Sequence, residues 1–322
     1  MFLLGTLERH RYAGGVSGDV VGSQTTGVPW GRREVARWRA GRVVKRKYAT
    51  EVLPLVDAVR ASVDVVSYGE LRYDTDRYEL FALKSRRWDA TRPTVLISGG
   101  VHGYETSGVL GALQFARDHL VSYSAHINVV VTPCVSPWAY ERIHRWNPDA
   151  LDPNRSFTDG TAVQEAAALM RFVAPFANSV LVHVDLHETT DSDETEFRPA
   201  LAARDGIEYE PGEVPDGFYL CADERNPELD FQEAMLRSVA RVTHIASPDS
   251  TGEIIGSPEV RPGIIVYDYA KLGLCAGMTN ARFTTTTEVY PDSSRATPSA
   301  CNAAQVAAVC AGIDFALDVT GR

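Results

Sequence analysis

"TVLISGGVHGYETSGVLGALQFARDHL", residues 94–120, combines the patterns of a strand, a glycine loop and a helix. The apolar run at 94–98 is typical of a short buried strand, and residues 105–120 repeat apolar side chains at helical spacing. The intervening glycines allow a tight turn between the two elements, because glycine adopts backbone angles that other residues avoid. These glycines are Gly99, Gly100 and Gly103.

The same alternation of strand and helix continues along the chain. Predicted strands cover residues 63–71, 78–85, 94–98, 127–135, 179–187 and 282–290, and further predicted helices cover 162–176, 227–242 and 299–317. Strands that alternate with helices indicate a sheet covered on both faces. We therefore predict an α/β fold with three α/β/α layers around a mixed, largely parallel, twisted sheet.

The N-terminal region lacks this regularity. Residues 1–31 carry seven glycines without sustained periodicity, a composition typical of irregular chain. We predict a loosely ordered arm or leader at 1–47 and one catalytic domain at 48–322. The apolar run at residues 2–4 is too short for a signal-peptide core, and we recognise no membrane span of about 18 apolar residues.

Composition narrows the class of protein. The chain has 322 residues, 44% of them hydrophobic and 23% charged, as in soluble globular proteins. Its formal net charge of -10 argues against nucleic-acid binding, which needs a basic face. The five cysteines are scattered and form no CxxC pair, so we expect reduced thiols and a cytoplasmic protein.

Two histidines and a glutamate fall at predicted strand ends. His102 and Glu105 follow the strand at 94–98, and His187 ends the strand at 179–187. In open α/β sheets, sites collect at the carboxyl ends of strands, and three such ligands leave the fourth zinc position open, as in hydrolytic sites. His183 lies deeper on the same strand, about 13 Å back at ~3.3 Å per residue, and is interpreted as a core or supporting histidine.

Two further segments contain candidate polar groups. Glu141 and His144 are an acid and a histidine three residues apart, in the opposite order to His102 and Glu105. No third candidate ligand at a strand end accompanies them, and we interpret both as surface residues. In "RWNPDALDPNRSF" (145–157), Asn154 and Arg155 are adjacent. An arginine binds a carboxylate through two parallel hydrogen bonds and an amide adds a directional donor, which suits a substrate with a free carboxylate.

The motifs "HGYE" (102–105), "RWNPDALDPNR" (145–155), "DLH" (185–187) and "TTTTEVY" (284–290), in this order, resemble those of the zinc carboxypeptidases of the A and B type, the funnelins. The resemblance is greatest to their compact bacterial relatives and covers residues from about 60 to 318. It implies one zinc ion bound by His102, Glu105 and His187.

The resemblance also implies roles for residues outside the ligand set. Asn154 and Arg155 would hold the terminal carboxylate of the substrate, and Arg145 would polarise the scissile carbonyl. Asp152 would orient the first histidine ligand, and Glu288 would be the general base that accepts a proton from the attacking water.

Some features of the family pattern are altered or ambiguous. Ser156 follows Arg155 where the family usually has asparagine or a similar polar residue. Tyr267 and Tyr269 are both candidates for the tyrosine that binds substrate. Residues 190–220 are interpreted as an inserted loop near the cleft.

Three functions fit these motifs. The first is a zinc metallocarboxypeptidase that removes a C-terminal residue from a peptide, and the second is an amidohydrolase of the desuccinylase and aspartoacylase type that cleaves an N-acyl amino acid. The third, a non-catalytic protein that binds a carboxylate, is disfavoured because a binding protein needs no base.

The side-chain preference of the site stays open at this stage. Five acids closely follow His187. They indicate either a site that attracts a basic substrate group or only a solvent-exposed loop, whereas Lys271 would favour an acidic substrate group. The acids are Glu188, Asp191, Asp193, Glu194 and Glu196. No oligomeric state is predicted.

Overall fold

An eight-stranded mixed sheet lies at the centre of the protein in the computed structural model, which describes residues 27–73 and 77–321, with only the backbone at residue 77. The strands are β1 (Asp64–Arg72), β2 (Arg77–Lys84), β3 (Thr94–Gly99), β4 (Asn128–Thr132), β5 (Val180–Glu188), β6 (Tyr219–Asp223), β7 (Glu253–Ile254), β8 (Ser257–Pro258), β9 (Ile264–Tyr267) and β10 (Phe283–Val289). The order across the sheet is β1-β2-β4-β3-β5-β10-β6-β9, and β7 and β8 form a separate ribbon.

Helices connect most of these strands. They are α1 (Arg32–Ala40), α2 (Tyr48–Glu51), α3 (Leu53–Ala58), α4 (Thr106–Asp118), α5 (Leu120–Tyr123), α6 (Pro137–Arg142), α7 (Gln164–Val173), α8 (Arg198–Asp205), α9 (Leu229–Val239), α10 (Tyr269–Leu272) and α11 (Pro298–Thr320). Short 3-10 segments occur at Pro153–Arg155, Ala174–Ser179 and Cys275–Met278, and a π-helical turn at Asp193–Phe197.

The four central strands run in one direction. β3 pairs in parallel with β4 and β5, and β5 pairs in parallel with β10. Antiparallel pairs occur between β1 and β2, β2 and β4, and β10 and β6. Every residue of β3 and β4 is buried, as expected for parallel strands covered on both faces. The carboxyl ends of the central strands therefore meet at one edge of the sheet.

Helices form a layer on each face of the sheet. On one face α11 packs against α4 and α9, and all three contact strands. On the other face, α7 supplies Ala166 and Leu169 to a core that includes Leu96 of β3 and Val130 of β4. The predicted three-layer fold with a mixed, largely parallel sheet is thus confirmed.

Helix α11 is the longest in the described part of the chain. By length and composition it could cross a membrane, with a mean hydropathy of 1.5 over its most apolar window. Half of that window is buried inside the protein, where Val309 and Ile313 are fully enclosed. This burial is characteristic of a core helix.

Residues 27–47 differ from the predicted loose arm. Helix α1 lies within this range and buries Trp38, whose ring lies 5.7 Å from that of Trp146. Arg46 donates hydrogen bonds to the carbonyl oxygens of Tyr140 and Gly103 at 2.8 and 2.7 Å. The arm therefore packs on the domain from residue 27 onward, and residues 1–26 lie outside the described residues.

The segment at 190–220 also differs from the prediction of an inserted loop. It contains the π-helical turn, helix α8 and the first residues of β6. The amide of Trp30 donates to the carbonyl oxygen of Arg204 at 2.7 Å, so the segment is tied to the N-terminal region. The sequence did not predict these elements, because the charged residues of this segment interrupt the regular spacing of apolar side chains that indicates a helix or strand.

Candidate metal centre

The turn after β3 directs two polar side chains into the edge of the sheet. Gly100 has a φ of 61°, a left-handed conformation that favours glycine. A Cβ atom at Gly103 would lie 2.0 Å from the carbonyl carbon of Ala139, so only glycine permits this close approach. The turn leaves His102 and Glu105 buried, and Glu105 directly precedes α4.

The third residue of the group comes from the neighbouring strand. His187 is the penultimate residue of β5, and in the parallel pairing Gly99 of β3 lies opposite Leu186. The carboxyl ends of β3 and β5 are therefore adjacent. His187 is buried and its ring centroid lies 4.9 Å from that of His102.

Four candidate ligand atoms converge among these three residues. His102 Nδ1 lies 2.6 Å from Oε1 of Glu105, and His187 Nδ1 lies 2.7 Å from Oε2 of Glu105. The two Nδ1 atoms are 3.2 Å apart. All three residues offer a ligand atom within 4.8 Å of the others.

This arrangement fits a divalent cation. The carboxylate of Glu105 is buried, and the polar atoms that face its two oxygens are the Nδ1 atoms of His102 and His187; a buried carboxylate is costly unless a positive charge is present. Burial alone would raise the pKa of Glu105, but His102 and His187 lower it to about 2, so the carboxylate is ionised. Two imidazoles and one carboxylate form the donor set of catalytic zinc sites.

A carboxylate holds the outer nitrogen of each histidine. Asp152 Oδ1 lies 2.9 Å from Nε2 of His102, and Asp185 Oδ2 lies 2.6 Å from Nε2 of His187. Such contacts fix the ring and direct the other nitrogen toward a metal. The contact of Asp152 agrees with its predicted role. The contact of Asp185 was missed, although its position two residues before His187 puts both side chains on one face of β5.

His183 supports the group without joining it. Its Nε2 lies 3.3 Å from Oγ of Ser98, which donates to Asp185 at 2.6 Å. Its Nδ1 lies 3.1 Å from Oγ1 of Thr279. The interpretation of His183 as a core or supporting histidine agrees with these contacts.

Arg145 lies beside the ligand group. Its Nε donates to Asp152 Oδ2 at 2.9 Å, and its Nη1 lies 3.0 Å from the hydroxyl of Tyr104 and 3.5 Å from Asp193. The ring of Phe197 lies 4.3 Å from the guanidinium carbon. The hydrogen bonds of Arg145 to described residues come from Nε and Nη1, and none comes from Nη2.

Asn154 and Arg155 have different environments. Asn154 is buried; its Oδ1 accepts from the amide of Cys275 at 2.7 Å, and its Nδ2 lies 3.3 Å from Nε2 of His187. Arg155 is exposed, and its Nη1 donates to the carbonyl oxygen of Asn154 at 2.7 Å. Arg155 is therefore accessible to a substrate, whereas the amide of Asn154 is already engaged.

Glu288 lies near the carboxyl end of β10, next to His187 of β5. The two residues are direct partners in the parallel pairing of β10 and β5, so their side chains share a face. Oγ1 of Thr189 donates to Glu288 at 3.0 Å and also lies 2.7 Å from the hydroxyl of Tyr219. Burial raises the pKa of Glu288 to about 8, although the charge of His187 opposes the shift.

The two candidate tyrosines differ in their surroundings. Burial raises the pKa of Tyr267, and its hydroxyl accepts a hydrogen bond from Oγ of Ser257 at 3.4 Å. Glu288 and Arg155 are near enough for their charges to act on this pKa in opposite directions. Tyr269 is fully buried; its hydroxyl donates to the carbonyl oxygen of Cys221 and accepts from the amide of Thr286 at 3.0 Å. Tyr267 thus lies near the candidate site, whereas Tyr269 joins β6 to β10.

The prediction that Glu141 and His144 are surface residues is wrong. His144 is 5% exposed and lies 5.0 Å from the ring of Trp38. Glu141 accepts hydrogen bonds from the hydroxyl of Tyr78 at 2.8 Å and from the amide of Tyr48 at 3.0 Å. Both residues belong to the packing of the N-terminal region on the domain.

The five acids after His187 do not form one exposed rim. Glu188 is buried and accepts from the amides of Thr106 and Ser107, at 3.1 and 2.6 Å, at the start of α4. Asp193 is also buried and accepts from the hydroxyl of Tyr104 at 2.8 Å. Lys271 is exposed in α10.

Solved structures share this architecture. A protein from Shewanella amazonensis SB2B, itself only inferred to be a metallopeptidase, has 19% identity and a TM-score of 0.63 over 85% of this chain and 98% of its own. Carboxypeptidase A from Helicoverpa armigera has 13% identity and a TM-score of 0.56, over 90% of this chain and 80% of its own. The fold is that of the zinc carboxypeptidases. A metallo-carboxypeptidase from Pseudomonas aeruginosa, in complex with (2-guanidinoethylmercapto)succinic acid, has 13% identity and a TM-score of 0.55 over 90% and 70% of the two chains.

Sequence comparison adds one family. The family model of the succinylglutamate desuccinylase/aspartoacylase catalytic domain matches residues 91–206, which include all three residues of the candidate metal centre. No curated protein sequence matches the chain. The chain thus combines the zinc carboxypeptidase fold with a buried His-Glu-His group, and residues 91–206 are similar to that catalytic domain.

Proposed function

We propose that this protein is a zinc-dependent carboxypeptidase, which hydrolyses the amide bond next to a C-terminal residue with a free carboxylate. One observation carries the proposal. Arg155 is exposed and directly follows Asn154, whose side chain contacts His187. Asp152, which supports His102, is buried, but the charges of Arg145, His102 and Arg155 hold its pKa well below the usual range. The exposed guanidinium of Arg155 therefore acts on the residues around the metal centre, and a guanidinium binds a carboxylate through two parallel hydrogen bonds.

The surrounding residues suit the chemistry of amide hydrolysis. Zinc, when bound, supplies a Lewis acid that polarises a carbonyl and lowers the pKa of water. Glu288 would accept a proton from the attacking water and pass it to the leaving amine. Nη2 of Arg145 would donate to the oxygen on which negative charge develops. Tyr267, near both Glu288 and Arg155, would contact the substrate.

The second candidate is the hydrolysis of an N-acyl amino acid. The match of residues 91–206 to the desuccinylase and aspartoacylase family favours it. The same metal centre, base and arginines would act on this substrate, because it also carries a free carboxylate beside an amide. The two candidates differ in the size of the group on the acyl side of the bond.

A matched substrate panel tests the proposal. The zinc-loaded protein would be assayed on blocked peptides with free C-termini, on the same peptides with amidated C-termini, and on N-acetyl and N-succinyl amino acids. We expect chelator-sensitive release of the terminal amino acid from the free peptides and little from the amidated ones. Hydrolysis of N-acyl amino acids alone would favour the second candidate.

Controls separate this activity from a contaminant. The Glu288→Gln protein, purified identically, should lose the activity while it retains zinc. Glu224→Gln removes an exposed acid and should leave the rate unchanged. Equal activity of the wild type and the Glu288→Gln protein on every substrate would contradict both candidates.

A further inference from the structure

A cavity of about 380 Å³ lies between the chain at the end of α1 and the residues that follow α6. We call it the His144 cavity and define it by the residues that line it and carry the argument: Trp38, Arg42, Lys45, Ile143, His144 and Glu196. None of these residues belongs to the candidate metal centre. Arg145, the next residue in the chain, points instead toward Asp152.

His144 is buried at the wall of this cavity and packs against aromatic rings. Its backbone amide donates to the carbonyl oxygen of Ala139 at 3.0 Å. The side chain is 5% exposed, and its ring lies 5.0 Å from Trp38 and 6.0 Å from Trp146. Two indole rings therefore pack against the imidazole.

The imidazole presents a hydrogen-bond donor to the cavity. Nδ1 of His144 accepts from the backbone amide of Trp146 at 3.2 Å, so the ring proton must be on Nε2. Nε2 has no hydrogen-bond partner among the described residues. An acceptor group in the cavity could therefore accept a hydrogen bond from Nε2.

Positive charge surrounds this donor. Burial, followed by the charges of Arg42, Lys45 and Arg145, lowers the pKa of His144 to about 3, so the ring stays neutral and keeps one proton at neutral pH. No acid among the described residues lies within ion-pair distance of Arg42 or Lys45. Glu196, the one acid in the lining, contacts neither of them at that distance.

Arg42 is partly withdrawn from water. Its Nε is buried and makes no hydrogen bond to the described residues, and its guanidinium carbon lies 5.6 Å from the ring of Trp38. A basic residue that serves only solubility keeps its donors in water. Arg42 instead keeps its Nε out of water, and its guanidinium lies beside the ring of Trp38 at the wall of the cavity.

We propose that the His144 cavity binds a small oxyanion, either a phosphate or a carboxylate group, through Nε2 of His144 and the cations of Arg42 and Lys45. A neutral donor that faces the cavity, beside two cations without ion-pair partners among the described residues, suits an acceptor-only, negatively charged ligand. The aromatic wall formed by Trp38 suits a ligand that carries an apolar body on the anionic group. The proposal is independent of the proposed activity.

The test measures anion binding to the whole zinc-loaded protein by titration calorimetry. Inorganic phosphate and citrate are the two probes, and they distinguish a phosphate from a carboxylate preference. We expect saturable binding of at least one probe. His144→Phe keeps the ring volume but loses the donor, and Arg42→Gln loses the charge; each should weaken binding at least about 10-fold, the scale of one hydrogen bond to a charged group.

Matched variants locate the binding in this cavity. Arg171→Gln removes an exposed charge on α7 and should leave the affinity unchanged. Arg155→Gln removes the cation beside the metal centre and identifies any binding that occurs there instead. If His144→Phe does not fold, Arg42→Gln still provides the test, because its side chain is only partly buried. No saturable binding of either probe, full affinity in Arg42→Gln, or loss of binding only in Arg155→Gln would each overturn the proposal.

Discussion

Nε2 of His187 lies 2.6 Å from Oδ2 of Asp185, two residues earlier on the same strand. Asp185 also accepts a hydrogen bond from Ser98 at 2.6 Å, so its carboxylate is held from two sides. With Asp152 on His102, each candidate histidine ligand has its own carboxylate. Because each carboxylate holds the outer nitrogen of its histidine, the Nδ1 atoms of both histidines face the candidate metal position.

Loss of the Asp185 carboxylate should weaken metal binding. In Asp185→Asn the neutral amide supports His187 less strongly, so we expect zinc affinity to fall about 10- to 100-fold, as for other residues behind metal ligands. Competition with a chromophoric chelator measures the affinity. Asp149→Asn makes the same change at an exposed position and should retain full affinity. Equal affinities for the two variants would contradict the role of Asp185.

Removal of a ligand should abolish stoichiometric zinc. His102→Ala and His187→Ala each delete one of three protein ligands, and we expect far less than one zinc per chain after dialysis. Elemental analysis of the purified proteins measures the content. His126→Ala, at an exposed position, should keep its metal. Full zinc content in either ligand variant would show that the metal assignment is wrong.

The metal centre could be predicted because its parts lie at the ends of apolar strands. β3 and β5 are continuous hydrophobic runs, and the rule that sites collect at carboxyl strand ends brings His102 and His187 together. The glycine turn places Glu105 at the start of α4. Each of these predictions depends on local sequence patterns.

Other features depend on tertiary contacts that no local pattern shows. Trp38 and His144 are distant in sequence, and their packing anchors residues predicted to be loose. β6 and β9 are short strands of five and four residues, flanked by polar and glycine-rich chain, so their pairing was missed. Tyr267 and Tyr269 could be told apart only by the partners of their hydroxyls.

The base can be tested through its neighbour Thr189. Glu288→Gln should retain zinc and lose at least 10²-fold in turnover, the usual scale of general-base catalysis. In Thr189→Val the carboxylate loses a hydrogen bond that stabilises its ionised form, so the pKa of Glu288 should rise. Because the base must be ionised to act, the acidic limb of the rate profile should move to higher pH. Rates of the wild type and Thr189→Val, measured from pH 5 to 9, test this. If the acidic limb and the maximal rate of Thr189→Val equal those of the wild type, the proposed role of Glu288 is contradicted.

Arg155 should discriminate free from amidated substrates. Arg155→Ala removes the exposed cation next to the metal centre, so kcat/KM for peptides with a free carboxylate should fall strongly, by about 10²-fold, on the scale of a hydrogen bond between charged groups. Amidated peptides offer no carboxylate, and their slow hydrolysis should change little. Arg225→Ala, an exposed arginine outside the candidate site, is the control. An equal loss on both substrate types would argue against carboxylate binding by Arg155.

Glu165 should make stability depend on pH. Burial raises its pKa from 4.5 to about 7, and the hydroxyl of Tyr73 donates to its Oε2. An acid that holds its proton more tightly in the folded chain favours folding when protonated. This contribution is full below pH 4.5 and is lost as the pH rises through about 7; the total is ~3 kcal/mol from the size of the shift.

The Glu165→Gln variant removes this dependence, because the amide does not titrate. The free energy of unfolding of the wild type should therefore decline relative to that of the variant between pH 5 and 8. Urea denaturation at several pH values in that range measures both proteins. Glu208→Gln, at an exposed position, should follow the wild type at every pH. Parallel pH curves for the wild type and Glu165→Gln would show that the buried carboxyl does not titrate in this range.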